Sequence, residues 1–251
     1  MSSYAIRRRG LQEEIQNIVK RYIIDHRFRP GDALPGEGEL ARQMGISRPS
    51  LREAMKVLQT IGVIETRHGS GTYVGSLSLD PFADGMAFQI LIAAQHDLGP
   101  PRDLLDIIEI REVIETTKVR QVIGRHSESQ LKHLNRLCDE MEMLEVGGGA
   151  FGELDLQFHR ALYEPLKSHV YDEFIKAFWK ISNLTIRPYA DQFHRDSNVE
   201  HRSIIKAIVA QDSRGAGDAM SAHILNIGND LRKGFDAQRL REEALREDEE
   251  T

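Results

Sequence analysis

Cysteine is nearly absent from the 251-residue chain: Cys138 stands alone, which excludes an internal disulfide framework and any CxxC metal motif. No stretch approaches the roughly 20 consecutive apolar residues that a membrane-spanning helix needs. Met1 to Gly10 carries the run Arg7-Arg8-Arg9, but no apolar stretch of the signal-peptide kind follows it. No tandem repeat is visible, and no alternating strand pattern follows Val74. A cytoplasmic protein with no membrane partner fits these absences. What is present is ordinary for a globular chain: hydrophobic residues make up 40% and charged residues 29%, a balance that argues against disorder.

A net charge of -6 looks wrong for a partner of nucleic acid, but its distribution is more informative. Residues 1–75 hold 12 Lys/Arg against 8 Asp/Glu, a surplus of +4, whereas the remaining 176 hold 21 against 31, a deficit of -10. A basic head on an acidic body suggests two domains with different partners, although chance fluctuation produces such splits too. Neutralising phosphates requires only a local basic surface.

Residues 10–27 carry Leu11, Ile15, Ile18, Val19, Tyr22 and Ile23 at steps of three and four, the pattern of an amphipathic helix. Pro30-Gly31-Asp32 reads as a turn. A second helix is expected from about Gly36 to Met44, with Gly45 as its C-terminal cap, and a third from Arg48 to about Ile61, with Ser47 as its N-cap. Two short β-like segments, 63–66 and 72–74, flank Arg67-His68-Gly69-Ser70-Gly71, which reads as a hairpin tip. Residues 76–101 form a connecting region with a short helix from about Phe82 to Ala94. From Arg102 almost everything is helix-periodic, with Leu104, Leu105, Ile108 and Arg111, then Leu131, Leu134, Leu137 and Met141, as examples. Residues 239–251 read as a charged, frayed tail. The fold class is therefore mainly α: a winged helix-turn-helix over 1–75 and an all-helical bundle over 102–238.

A helix fits the DNA major groove, and its N-terminal residues reach the base edges. Here those are Ser47, Arg48, Pro49, Ser50 and Arg52. Arg48 and Arg52, four apart, share a face and suit bidentate contact with guanine or a grip on phosphate. Leu51, Met55 and Leu58 lie on the other face. In the hairpin, Gly69 lets backbone approach DNA, and Arg67 or His68 can reach a phosphate or the minor groove. The plainer alternative is that the arginines are solvated surface charges.

Leu34-Pro35, Glu37, Glu39-Leu40-Ala41, the run Ser47 to Ala54 and the run His68 to Val74 together resemble the GntR family of regulators, over about residues 9–75. The resemblance implies that Arg48, Arg52, His68 and Gly69 contact DNA. One departure is Gly38, where many members carry an arginine used on DNA and others a small polar residue.

In the second half, Asp155 and His159 are spaced i, i+4 and project from one helix face, while His201 and His223 lie in two further helical segments. A carboxylate with imidazoles suits a divalent ion such as zinc, manganese or nickel, but with 10 histidines in the chain the pattern alone equally fits satisfied core residues. The segments around Asp155-x-x-x-His159, Glu200-His201-Arg202 and Ala219-Met220-x-x-His223, with Ile107 to Glu115, resemble the FCD effector domain of the FadR-type branch, over about residues 100–235. That resemblance implies a metal held by Asp155, His159, His201 and His223, and a small carboxylic acid as effector. Arg111 matches an arginine turned toward the ligand, its alternative being an ion pair with Glu115. Asn183 and Arg187 are further candidates to line the pocket, or else plain packing residues. Where relatives carry Ser-Gly-Asn, this chain has Ser168-His169-Val170.

These readings combine into a homodimeric regulator, a repressor in sense, on a pseudo-palindromic double-stranded operator, released by a small hydroxy acid or sugar acid. Two alternatives remain open at this stage: a purely structural metal with the effector elsewhere, and a metal-dependent hydrolase fused to a DNA-binding head, which lacks an HExxH-type base.

Overall fold

The computed structural model describes residues 3–94, 100–147, 151–186 and 197–249, and the side chains of 10–94, 100–144, 152–185 and 198–236. It divides into two compact units, Met1–Pro81 and Phe82–Thr251.

In the first unit, α1 (Ser3–Asp25), α2 (Glu37–Met44) and α3 (Arg48–Thr60) precede an antiparallel hairpin of β1 (Ile64–Arg67) and β2 (Gly71–Val74). The hairpin register pairs Ile64 with Val74 and Arg67 with Gly71, and an isolated bridge ties Ala33 to Tyr73. The amphipathic stripe of α1 buries Ile15, Val19 and Ile23 against Leu40 and Ala41 of α2 and Leu51, Ala54, Met55 and Leu58 of α3, with Ile64 and Val74 closing the core from the hairpin. The turn between α2 and α3 is set by two local devices. Gly45 takes the left-handed conformation at φ +65°, which a Cβ would disfavour, and lets its own N–H close back on the helix. Ser47 then caps α3, its Oγ accepting from the Ser50 N–H at 3.3 Å, while Pro49 sits where its missing N–H costs nothing.

The second unit is helical throughout its described residues. It contains α4 (Asp80–Ala94), which begins just ahead of it, and then α5 (Arg102–Gln121), α6 (Glu128–Gly147), α7 (Phe151–Tyr163), α8 (His169–Ile186), α9 (Ser197–Val209) and α10 (Ser213–Glu249). A single 3-10 turn, Glu164–Leu166, joins α7 to α8. Helix α10 packs along α5 and α9, α6 packs on α7 and α9, and α7 on α8, so residues of α5, α7, α9 and α10 meet inside the bundle. In its core Leu104, Leu134, Met141, Phe158, Leu162, Ile181 and Ile204 are fully buried, and the rings of Tyr163, Tyr171 and Phe178 are buried beside them.

The structure departs from the sequence reading at the end of the chain. Residues 239–249, expected to be frayed, continue α10. The segment is rich in Glu, Arg, Leu and Ala, all strong helix formers, and contains neither Gly nor Pro to stop it. No helix among the described residues is long and apolar enough to cross a membrane.

Candidate functional site

Arg48 opens α3 and is exposed. Among the described residues it makes no hydrogen bond or ion pair, so all its donors are free. Arg52, one turn on, is engaged: its Nε donates to Glu37 Oε2 at 3.1 Å. Ser47 and Ser50 are joined by a 2.8 Å hydroxyl contact in addition to the cap. In the hairpin, Arg67 donates through Nε to Glu65 at 2.6 Å and lies 4.1 Å from the centroid of the Tyr73 ring. His68 and Gly69 stand exposed at the tip, where Gly69 has φ +73°. The arrangement is a helix presenting one free and one held arginine, beside a hairpin whose arginine is braced.

The second assembly is buried. Asp155 and His159 come from α7, His201 from α9 and His223 from α10, and one ligand atom from each lies within 4.8 Å of all the others. The three imidazoles are essentially solvent-free, at 1%, 0% and 1% exposure. His159 Nε2 stands 3.3 Å from His223 Nε2, and His201 Nε2 3.1 Å from Asp155 Oδ1. In a tetrahedral zinc site with ligands at about 2.0–2.1 Å, neighbouring ligand atoms are about 3.3 Å apart.

Two carboxylates orient the rings from behind. Glu115 Oε2 is 2.7 Å from His159 Nδ1, and Glu200 Oε2 is 2.9 Å from His223 Nδ1. An ionised carboxylate only accepts, so each Nδ1 is the donor and each Nε2 faces the centre. His201 Nε2 lies 3.1 Å from Asp155 Oδ1 but outside hydrogen-bond geometry, and its Nδ1 has no partner among the described residues. Burial, with His223 alongside, pushes His201 down to about 4, so it is neutral at pH 7.

Arg111, from α5, closes the cluster. Its Nε is 2.5 Å from Glu115 Oε1, and its Nη2 is 3.2 Å from His159 Nε2. Burial disfavours the guanidinium's charge, but Glu115 and Asp155 outweigh that and raise its pKa. Burial also opposes ionisation of Glu115, Asp155 and Glu200. Arg111 and His159 overcome it at Glu115, His159 and His201 at Asp155, and His223 and Asn226 at Glu200, and all three carboxyls fall below their ordinary values. Three ionised carboxylates thus surround the imidazoles with a single guanidinium among them, in a mostly water-free interior. The donor set, its spacing, the unsatisfied His201 and the surrounding carboxylates all fit one divalent cation.

The ion pair between Arg111 and Glu115, one of two sequence expectations for Arg111, is formed, and the arginine also borders the donor cluster. Asn183 is exposed on α8, near Gly152 of α7. Arg187 lies outside the described residues. His169 is the exposed first residue of α8. Sequence reasoning did not assign Glu200 any role and saw Glu115 only as a partner of Arg111. A signal existed for Glu115, which with Arg111 interrupts an apolar face of Ile107, Ile108 and Val119. None existed for Glu200, whose partner His223 is 23 positions away on another helix.

Comparison with known proteins agrees with both halves. Residues 11–74 match the family "Bacterial regulatory proteins, gntR family", and residues 106–226 match the FCD domain. The chain is 28% identical over 239 residues to a protein of Escherichia coli strain K12 provisionally named L-lactate dehydrogenase operon regulatory protein, covering 93% of this chain and 90% of that one. It is 24% identical over 218 residues to the HTH-type transcriptional regulator LutR of Bacillus subtilis strain 168, covering 83% and 94%. Among solved structures, Streptococcus agalactiae GntR superposes with a TM-score of 0.61 at 27% identity, covering 86% of this chain and 98% of that one. These relatives are regulators, and the hydrolase reading is set aside. A free arginine at the head of α3, a braced hairpin and a helical bundle matching FCD are the parts of a DNA-binding regulator, and the chain belongs to the GntR family of transcription regulators, with an FCD domain behind its helix-turn-helix.

Proposed function

We propose that the protein is a homodimeric, cytoplasmic repressor that holds a divalent metal through Asp155, His159, His201 and His223 and leaves a pseudo-palindromic operator when a small carboxylic acid binds beside that metal. The observation that carries the reading is the grouping of one donor atom from each of Asp155, His159, His201 and His223 within 4.8 Å, with Arg111 at its edge. Zinc fits the imidazole-rich, closely spaced donors, with manganese or nickel as substitutes. Such an ion supplies coordination positions for a carboxylate or hydroxyl oxygen. Arg111 offers a guanidinium for the ligand's carboxylate. A relative named for an L-lactate dehydrogenase operon supports small hydroxy acids as the first ligands to test, with sugar acids next. The ligand acts on DNA binding only so far as it prefers one state of the dimer.

Arg48, Arg52, Ser47, Ser50, Arg67, His68 and Gly69 form the DNA-contacting set in this reading, with Arg48 the contact to the bases. Asn183 and Arg187 are retained as candidates for the ligand pocket.

The test is metal analysis of the purified protein beside Asp155→Ala and His201→Ala variants. About one divalent ion per chain is expected in the wild type, and none in either variant. A wild type that neither contains metal nor takes it up on addition overturns the site. A structural metal is the second reading, favoured by the near-complete burial of the three rings. It predicts that metal removal lowers the melting temperature while carboxylic acids still release DNA.

A further inference from the structure

Gly38 breaks a local rule. It is the second residue of α2, its backbone is in no conformation that requires glycine, and glycine is among the poorest helix formers. Its missing side chain has another occupant. A Cβ placed on Gly38 would stand 3.1 Å from Nη2 of Arg48, 3.3 Å from Cζ and 3.5 Å from Nε. The guanidinium of the first residue of α3 therefore lies against the backbone of α2, where a side chain at position 38 would begin.

The neighbouring carboxylates do not hold it there. Glu37 is taken by Arg52 at 3.1 Å, and Glu39 accepts from Arg42 and Gln43 at 2.6–2.7 Å. Arg48 is thus seated by shape, with every N–H left to donate. A long, exposed side chain normally loses rotamer freedom when it docks, and a seat that removes those rotamers beforehand fixes where the fork meets a base edge.

We propose that Gly38 is a specificity-determining position of the DNA-reading surface, because its lack of a side chain provides the seat that aims Arg48. The inference rests on the reading of Arg48 as a base contact, and the test separates the two. A preferred duplex is selected from a random-sequence pool with the wild-type protein. Affinity and base preference are then measured by fluorescence anisotropy for the wild type, Arg48→Ala, Gly38→Ala, Gly38→Gln and Gly38→Gln with Arg48→Ala.

Arg48→Ala is expected to weaken binding about tenfold or more, the size of a lost bidentate contact, and to relax preference at one base pair per half-site. Alanine at 38 displaces the guanidinium by only a few tenths of an ångström and should cost less. Glutamine evicts it and should approach the Arg48→Ala loss, adding nothing in the Arg48→Ala background. Both substitutions improve helix propensity, so melting temperatures should hold or rise, which separates lost aim from lost fold. Unchanged binding by Arg48→Ala overturns the reading of α3. A loss in Arg48→Ala combined with wild-type binding by Gly38→Gln overturns the Gly38 inference. So does an equal fold-loss from Gly38→Gln in both backgrounds.

Discussion

Replacing Glu115 with glutamine removes one charge and changes almost no volume, so its effect can be worked from contacts alone. In the native bundle each carboxylate oxygen has one donor: Arg111 Nε at 2.5 Å on Oε1 and His159 Nδ1 at 2.7 Å on Oε2. The residue is fully buried and Arg111 is 5% exposed. Glutamine can accept from only one of the two donors, and its amide N–H₂ would face the other. Stranding a buried guanidinium costs about 3–5 kcal/mol. The lower end applies here, because Asp155 also attracts Arg111. A loss of about 3 kcal/mol in a unit of this size lowers the melting temperature by roughly 6–12 °C. A second readout follows from His159, which loses the carboxylate that fixes its tautomer. Metal affinity should fall about 10–100-fold, measured by competition with a chromophoric chelator. Adding Arg111→Met to Glu115→Gln should restore part of the stability, since the unpaired charge is gone, but not the metal affinity. A Glu115→Gln protein that melts within about 2 °C of wild type and binds metal as tightly refutes both parts of the reasoning.

Two further outcomes are expected. Ser47→Ala should cost the DNA-binding unit about 1 kcal/mol in urea denaturation, because the Ser50 N–H loses its 3.3 Å cap, and Ser47→Asp should recover most of it; no difference between serine and alanine would show the cap to be energetically idle. Burial pushes the Cys138 thiol up to about 12, so at pH 8 it should stay unlabelled by a disulfide reagent in the native protein and react at once on unfolding; prompt native labelling would contradict the packing of α6 against α9.

The DNA-binding half was the more legible in sequence because its punctuation is local. Gly45 and Ser47 mark the turn between α2 and α3 within three residues, and each acts through its own backbone or that of the next turn. The hairpin was visible for the same reason, through glycines at 69 and 71, although β1 and β2 each differ by a residue from the pattern because alternation alone does not fix where pairing begins. What stayed hidden was tertiary. That Arg67 is braced by Tyr73 and Arg52 held by Glu37 depends on which faces meet, as does the seat of Arg48 on Gly38, ten positions away on another helix. In the bundle, Asp155 and His159 were legible as a pair from their i, i+4 spacing, and the resemblance added His201 and His223. Glu200 escaped because it sits next to His201 in the chain yet serves His223 across the boundary between α9 and α10.

The placement of charge bears most directly on how a ligand would act. Hydrophobic packing alone could have filled the space between α5, α7, α9 and α10 with aliphatic side chains like those above and below it, and ion pairs in such surroundings are often no more stabilising than hydrophobic replacements. The chain instead spends three carboxylates and an arginine there, which costs stability unless a bound partner repays it. A divalent cation offsets the excess of carboxylates over guanidinium. An incoming monocarboxylate adds a negative charge, and the only guanidinium in the buried cluster among the described residues is Arg111, already paired with Glu115 on the same helix. In the proposed reading the ligand must therefore share or take over that guanidinium, which loosens the hold of α5 on His159. The ligand's free energy is in this way coupled to the position of a helix that α10 packs along, rather than confined to its own pocket.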